Sequence, residues 1–181
     1  PDFMVVAWDL AGPTFRHEEY AEYKGTRERK AQELYDQIPI IQRILGAYGI
    51  PSLSAKGFEA DDIIGTLAAM NEHEGRKTLI ITGDLDALQL VHDGKTEVVV
   101  FVKGLSETKT YDESAVVARY GLSPHQLIDF KAMIGDKSDN IPGLPQIGEK
   151  TAVALLQEYG TLKNIFTAVA DGKVPEKFAK K

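Results

Sequence analysis

The stretch Phe58-Glu59-Ala60-Asp61-Asp62-Ile63-Ile64 places three carboxylates directly before an apolar helical run. Glu59 and Asp62 are three residues apart, so on a helix they lie on one face. Two unit charges about 4 Å apart repel by about 4 kcal/mol at an effective dielectric constant of ~20. A fold can contain such a pair if the acids are solvated at a helix start, where they complement the helix dipole, or if they hold a divalent cation. The segment alone leaves both alternatives open.

Further carboxylates follow two apolar runs that are typical of strands. Asp9 comes after Met4–Trp8, and Asp84 and Asp86 come after Thr78–Thr82. In open α/β sheets, ligands bind at the carboxyl ends of the parallel strands, so these acids are candidate site residues. Asp9 has an equally simple alternative, because an acid at a strand end can cap the following turn.

Asp136 and Asp139 form a second acidic pair that we predict to have helical spacing. The chain has no Cys, which excludes a thiolate metal site, and its four His residues are scattered, which argues against a histidine-rich zinc site. All-oxygen ligation suits Mg²⁺ or Mn²⁺, and a surplus of carboxylates favours a two-metal site for phosphodiester hydrolysis. The candidate ligands are Asp9, Glu59, Asp61, Asp62, Asp84, Asp86, Asp136 and Asp139.

Residues 14–30 interleave cations with aromatic side chains. Arg16, Lys24 and Arg27 are among the cations, and Tyr23 is one of the aromatic residues. This pattern suits single-stranded nucleic acid, with cations on phosphates and rings against bases. The alternative is a solvated connecting segment.

A second candidate for nucleic-acid binding is the glycine turn, residues 143–148, which precedes a predicted helix. Such a turn directs backbone N–H groups at whatever docks there, and phosphate is the natural ligand. Lys150 adds a positive charge. The alternative is an ordinary connection between two helices.

The overall charge and hydropathy restrict the function further. The net charge of −6 argues at first sight against a nucleic-acid partner, but the distribution of charge matters more than its sum. No apolar run approaches the ~20 residues of a membrane span, and no signal peptide is visible. Together with the lack of Cys, these features indicate a cytoplasmic protein that does not associate with membranes.

Strands and helices alternate up to Gly121, and the remainder reads as helical. We therefore predict an α/β domain with a parallel sheet, whose buried strands include Met4–Trp8, Thr78–Thr82 and Val98–Val102. Ile50–Leu53 is predicted to be a short edge strand. In the amphipathic segment that precedes it, Pro39 predicts a kink or a helix start.

Five segments, in order along the chain, closely resemble the 5′-nuclease domains of bacterial DNA polymerase I, which belong to the flap endonuclease family. The resemblance extends from Pro1 to about Phe166. The segments are Gly12–Arg16, Glu22–Arg27, Phe58–Asp62, Thr82–Asp86 and Gly135–Gly143.

The resemblance implies a PIN-like nuclease domain over 1–121, with a helical arch at about 14–40, and a helix-3-turn-helix DNA-binding region over 122–181. It further implies structure-specific 5′→3′ exonuclease and flap endonuclease activity in replication and repair. The substrates would be DNA with a 5′ flap or nick, or an RNA primer. A polymerase domain in the same parent chain and a nucleoid-associated location are also implied.

The resemblance also assigns roles to residues. Asp9, Glu59, Asp61 and Asp62 would lie nearer the first metal ion, and the other four candidate acids would complete the site. Arg16, Lys24 and Arg27 would steer and polarise the scissile phosphate, and Tyr23 would stack against a base. Gly143, Ile147 and Gly148 would form the duplex-binding turn, where the family holds K⁺.

One departure from the family pattern affects the expected activity. The family begins with a strand that ends in a metal-bridging Asp, and we expect that strand to lie upstream of Pro1, with the last helices cut short near Lys181. The intact parent is therefore the expected enzyme. The alternatives are a non-catalytic DNA-binding module that uses the glycine-turn helices, another PIN-like hydrolase such as a ribonuclease toxin, and a metal-free structural domain.

Overall fold

The computed structural model describes residues 1–104 and 106–175, which form two compact units. The first unit contains Pro1–Leu67 and Ser138–Asn140, and the second contains Ala68–Lys137 and the described residues from Ile141 onward. This division is not the predicted boundary at Gly121, which stays a prediction. Residues 176–181 of the predicted C-terminal region lie outside the described residues.

The first unit holds one short parallel strand pair. Strand β1 (Val6–Ala7) pairs with β2 (Ser52–Leu53), so the predicted edge strand is confirmed. The prediction of a longer buried strand over Met4–Trp8 is wrong, because only two of its residues pair and Met4 is 51% exposed. Within the described residues, β1 has β2 as its one strand partner, and this pairing leaves the start of the run uncovered.

The helices that begin in the first unit are α1 (Phe15–Glu19), α2 (Gln32–Ala47) and α3 (Ala60–His73). Helix α2 continues through Pro39, so the prediction of a helix start at that residue is wrong. No residue of α2 is buried. A missing backbone N–H is tolerated more easily on such an exposed helix, since water can satisfy the carbonyl that loses its partner.

The second unit contains a three-stranded sheet in the order β3 (Thr78–Thr82), β4 (Thr96–Lys103) and β5 (Glu107–Tyr111). The β3–β4 pair is parallel, which confirms the predicted parallel sheet, and the β4–β5 pair is antiparallel. On β3, Ile80 is buried whereas Leu79 and Ile81 are 57% and 59% exposed, and on β4, Val98 is fully buried whereas Val102 is 58% exposed. One face of β3 is therefore covered, and the predictions that Thr78–Thr82 and Val98–Val102 are buried throughout are wrong.

A 3₁₀ helix lies between β3 and β4 in the sequence, and in the described part of the chain four α-helices follow β5. They are a 3₁₀ helix (Leu85–Leu90), α4 (Glu113–Tyr120), α5 (Gln126–Ile134), α6 (Glu149–Tyr159) and α7 (Leu162–Ala170). Helix α6 packs between α5 and α7, and it buries Leu155 and Leu156. None of the helices in the described residues is both long and apolar enough to cross a membrane.

A small hairpin separates α5 from α6. Strand β6 (Gly135–Asp136) pairs antiparallel with β7 (Ile141–Pro142), and Gly135 adopts φ +75° where α5 ends. A Cβ atom on Gly135 or Gly143 would collide with the facing backbone, so both positions require glycine. Asp136 lies in a strand and Asp139 in the turn that follows it, so the prediction that the two have helical spacing is wrong.

Candidate metal and nucleic-acid site

Two carboxylates accept hydrogen bonds from backbone N–H groups at the start of α3. Asp62 Oδ2 accepts a hydrogen bond from the Glu59 N–H at 2.8 Å, and Asp9 Oδ1 accepts one from the Ala60 N–H at 2.7 Å. Both contacts satisfy N–H groups that a helix start leaves without intrahelical partners. Asp61 lies in the same first turn and is exposed. The helix-start alternative thus describes part of what Asp62 does, whereas Asp9 caps the start of α3 rather than the turn that follows its own strand.

Two cations from the predicted arch lie on these acids. The Arg16 guanidinium makes a two-pronged contact with Asp62, at 2.8 and 2.7 Å, and lies 3.9 Å from Glu59. Lys24 Nζ lies 2.8 Å from Glu59 Oε2. The hydrogen bonds from Arg16 lower the pKa of Asp62 despite the opposing effect of burial. The repulsion expected between Glu59 and Asp62 is therefore relieved here by protein cations.

Tyr23 links Glu59 to an acid far away in the sequence. Its hydroxyl lies 3.0 Å from Glu59 Oε2 and 3.1 Å from Asp139 Oδ2, so its single proton can be donated to either carboxylate. Burial, followed by the charges of Asp139 and Glu59, raises the pKa of the tyrosine. The side chain is 5% exposed. The predicted base stacking requires an exposed ring, and this conformation does not provide one.

Asp139 is held to the same segment by further contacts. Arg27 Nη2 lies 2.5 Å from Asp139 Oδ1, and the Lys24 N–H donates to the Asp139 carbonyl at 2.9 Å. The Asn140 side chain donates to the Glu22 carbonyl at 2.9 Å. These bonds bring three acids, Glu59, Asp62 and Asp139, into one network with three cations. We call this network the arch-paired cluster; its members are Glu59, Asp62, Asp139, Arg16, Tyr23, Lys24 and Arg27.

A second acidic group lies within the second unit. Asp84 caps the 3₁₀ helix by accepting a hydrogen bond from the Asp86 N–H at 2.9 Å. Lys131 Nζ lies 2.8 Å from Asp86 Oδ1 and 2.7 Å from Asp136 Oδ2. Burial raises the pKa of Asp86, and the charges of Asp84 and Asp136 act in the same direction against the effect of Lys131. We call Asp84, Asp86, Asp136 and Lys131 the lysine-bridged cluster.

Sequence reasoning did not identify Lys131, which lies in the last turn of α5. The available signal was a cation five residues before a candidate ligand, at a helix end where positive charge is favourable. That signal is weak, because nothing in the sequence shows that Asp86 reaches the same ammonium group.

The chemistry of both clusters suits a hard divalent cation, since every candidate donor is a carboxylate oxygen. The arrangement of these side chains supports a metal site less directly than their chemistry does. Across residues 1–104 and 106–175, no group of three or more His, Cys, Asp or Glu side chains is arranged to hold a metal ion. Arginine and lysine groups contact oxygens of Asp62, Glu59 and Asp136 instead.

The predicted glycine turn precedes α6, with Gly148 at the N-cap and Lys150 in the first turn. A methyl group added at Gly148 would meet no atom within 4 Å, whereas one added at Gly143 would collide with the Ile134 backbone. The requirement for glycine at Gly143 therefore has a packing cause. Ile147, between them, is half-buried.

Comparison with known families matches both parts of the chain. A model described as 5′-3′ exonuclease, N-terminal resolvase-like domain, matches residues 1–121. A second model, described as 5′-3′ exonuclease, C-terminal SAM fold, matches residues 122–181.

The curated relatives include several bacterial proteins of one name. DNA polymerase I of Bacillus caldotenax is 47% identical over 173 residues, which are 96% of this chain and 20% of that protein. DNA polymerase I of Mycobacterium tuberculosis is 48% identical over 165 residues, which are 91% of this chain and 18% of that protein. The chain thus spans about a fifth of the length of these relatives.

Solved structures show the same fold. The T5 5′-exonuclease with bound divalent zinc ions superposes with a TM-score of 0.77 at 25% identity, over 97% of this chain and 66% of that one. The catalytic core of Rad2 in complex with a DNA substrate gives a TM-score of 0.60 at 22% identity, over 96% of this chain and 53% of that one. The expected PIN-like nuclease architecture with a helical second part is confirmed.

Proposed function

We propose that this chain, which belongs to the 5′-3′ exonuclease family, hydrolyses phosphodiester bonds of DNA from a 5′ end or at a 5′ flap. The observation that carries the proposal is the arch-paired cluster, in which Tyr23 joins Glu59 to Asp139 across 80 residues of sequence. The second support is the similarity to the metal-bound T5 5′-exonuclease. An RNA primer with a 5′ end is a further substrate in this proposal.

Divalent metal ions are the cofactors of the proposed reaction. The carboxylates of both clusters, with Asp9 and Asp61, would hold two ions of Mg²⁺ or Mn²⁺, because these ions prefer oxygen ligands and retain water. Such ions, when bound, activate water and stabilise the leaving oxygen. The chain's own cations lie on several of these oxygens, so a bound ion would displace them or share the carboxylates with them.

Arg16, Lys24 and Arg27 would then contact the substrate. Each is on a carboxylate here, and each becomes available to a phosphate once the carboxylates are otherwise neutralised. Two guanidinium groups and one ammonium group can bind the scissile phosphate and stabilise the negative charge that develops on it. We also propose that release of Tyr23 from Glu59 and Asp139 exposes its ring for a base.

The glycine turn and the start of α6 would bind the duplex part of the substrate. Residues 148–150 at the start of α6 are exposed, which supports access of a phosphate to the N–H groups of this helix terminus. Gly143 and Ile147 complete the turn, which would also hold K⁺ through backbone carbonyls. Lys150→Gln is expected to reduce the salt dependence of duplex binding by about one phosphate contact.

The proposal extends to the parent protein and its location. Because the chain spans about a fifth of relatives named DNA polymerase I, we propose that a polymerase domain accompanies it in a longer chain. Because its proposed substrate is DNA, this longer protein would lie in the cytoplasm, in association with the nucleoid.

Cleavage of a labelled 5′-flap duplex in Mg²⁺ tests the proposed function. Asp84→Asn should abolish cleavage, and the matched control Glu97→Gln, at an exposed position on β4, should not change it. Duplex binding without cleavage, in this chain and in the longer parent, would favour the alternative of a non-catalytic DNA-binding module.

A further inference from the structure

Lys131 is bonded to two acids that come from different elements of the second unit. Its ammonium group lies 2.8 Å from Asp86 Oδ1 and 2.7 Å from Asp136 Oδ2. Asp86 lies in the 3₁₀ helix after β3, and Asp136 lies in β6. One ammonium group therefore holds together two carboxylates that are 50 residues apart in the sequence.

The surroundings give this contact more weight than a surface ion pair. The Asp136 side chain is 16% exposed, and those of Lys131 and Asp86 are 40% and 38% exposed. Burial lowers the pKa of Lys131, but its hydrogen bonds to Asp136 and Asp86 outweigh that effect and leave the pKa above its ordinary value. The ammonium group is therefore charged at neutral pH.

The charges of the lysine-bridged cluster do not cancel. Asp84, Asp86 and Asp136 carry three negative charges and Lys131 carries one positive charge, so the four groups sum to −2. This net negative charge favours the approach of a cation. Because Lys131 contacts one oxygen of Asp86 and one of Asp136, an ion bound between these two carboxylates would have to share them with the ammonium group or displace it.

We propose that Lys131 is a positioning residue that holds Asp86 and Asp136 in the place of a divalent ion and thereby weakens and tunes ion binding at these carboxylates. The inference rests on the proposed function, in which these acids are metal ligands. It goes beyond that function by assigning a tethered competitor to the ion. A purely structural lysine would stabilise the fold without changing the concentration of ion needed for binding.

Titration with Mn²⁺ tests this role in the metal-binding step alone. The EPR signal of free aqueous Mn²⁺ gives the half-saturating concentration for the wild-type chain, Lys131→Met and Lys131→Gln. Removal of the competing charge should lower this concentration about fivefold in both variants, since a partly exposed ion pair affects binding by about that factor. Lys131→Arg retains the charge and should bind Mn²⁺ like the wild type.

Lys77→Met is the matched control, because Lys77 is an exposed lysine of the same unit that lies before β3. It should leave the half-saturating concentration unchanged. A melting curve of each variant without metal shows that it is folded, and the Gln variant retains hydrogen-bonding capacity should the Met variant unfold.

The outcomes separate this inference from the function on which it rests. Tighter Mn²⁺ binding in the neutral variants, with no change in the Arg variant, supports the role of Lys131. Binding that is unchanged or weaker in the neutral variants, while the wild type binds Mn²⁺, overturns the inference alone. If neither the wild type nor any variant binds Mn²⁺, the proposed metal-dependent function fails.

Discussion

The arch-paired cluster and the lysine-bridged cluster neutralise their acids in different ways. In the first, Glu59, Asp62 and Asp139 have three cations among them, and the charges of these six groups cancel. In the second, Lys131 contacts both Asp86 and Asp136, and the formal charges of these three groups sum to −1. The named groups of the first cluster are therefore neutral in sum, whereas those of the second carry a net negative charge.

The source of the cations also differs. All three cations of the arch-paired cluster come from residues 16–27, so a movement of that one segment would uncover three carboxylates together. Lys131 lies within a helix of nine residues rather than in a connecting segment. A change of conformation can control the first cluster, and competition between cations can control the second.

The largest expected effect tests whether both clusters serve one reaction. Glu59→Gln removes a carboxylate from the first cluster, and Asp86→Asn removes one from the second. Each change should lower the rate of Mg²⁺-dependent flap cleavage at least about 100-fold, because loss of a ligand exceeds the 10–100-fold effect of losing a group behind a ligand. Single-turnover cleavage with enzyme in excess measures the rates.

Glu97→Gln provides the reference for an exposed acid outside both clusters. Should only one of the two cluster variants lose activity, the other cluster is structural, and the two do not serve the same reaction. Circular dichroism of each variant excludes unfolding as the cause.

The second-largest expected effect is on stability, and it tests whether the contact between Arg16 and Asp62 in the arch-paired cluster stabilises the fold. Arg16→Met leaves Asp62 without its two-pronged partner and should lower the free energy of unfolding by about 1–2 kcal/mol, as expected for charge-assisted hydrogen bonds that are partly exposed. Arg16→Lys should recover only part of this loss, because an ammonium group cannot make the two-pronged contact. Urea unfolding without divalent ions measures both.

A divalent ion provides a control on the same variant. If Mn²⁺ takes over the carboxylates, the difference in stability between the wild type and Arg16→Met should shrink when the ion is present. Equal stability of the two proteins without metal would show that the contact between Arg16 and Asp62 does not stabilise the fold.

Much of the fold could be predicted from local patterns. The residues of β3 are those of the apolar run Thr78–Thr82, and α4 has Asp at its N-cap (Asp112) and Gly at its C-cap (Gly121), the residue types that favour these positions. The strand β5 was missed because Glu107–Tyr111 is mostly polar and its partner, β4, determines its pairing. Burial of Met4–Trp8 was overestimated because composition does not show how many neighbours a strand has.

The residue types of the candidate site could be predicted from the sequence, but the contacts between those residues could not. Six of the acids were chosen because carboxylates follow strands or open a helix, whereas Asp136 and Asp139 were chosen on a helical spacing that is wrong; the structure nevertheless places Asp139 beside Glu59 through Tyr23. The ion pairs were not identifiable, since Arg27 and Asp139 are 112 residues apart and only the folded chain makes them neighbours. Lys131 was missed for the same reason.

The smallest expected effect uses an acid outside both clusters. Asp112 caps α4, and hydrogen bonds from the Ala115 N–H, followed by the Ser114 hydroxyl, lower its pKa below the ordinary value of 3.8. A carboxylate with a lowered pKa stabilises the fold fully above its ordinary pKa, and this stabilisation is lost as the pH falls through the lower folded value. Asp112→Ala should therefore lower the melting temperature at neutral pH, and the difference from the wild type should shrink towards about pH 3.

Asp112 also provides a metal-independent reference for the two clusters, because backbone and hydroxyl groups, rather than cations, hold its carboxylate. The difference in melting temperature between the wild type and Asp112→Ala should be the same with and without Mn²⁺, whereas the differences for Arg16→Met and Lys131→Met should depend on the ion. Asp112→Asn retains a capping oxygen without a titratable charge, so its melting temperature relative to Asp112→Ala should not vary with pH. A difference between the wild type and Asp112→Ala that stays constant from about pH 7 to about pH 3 would show that the charge of Asp112 contributes nothing, and that its cap acts through hydrogen bonding alone.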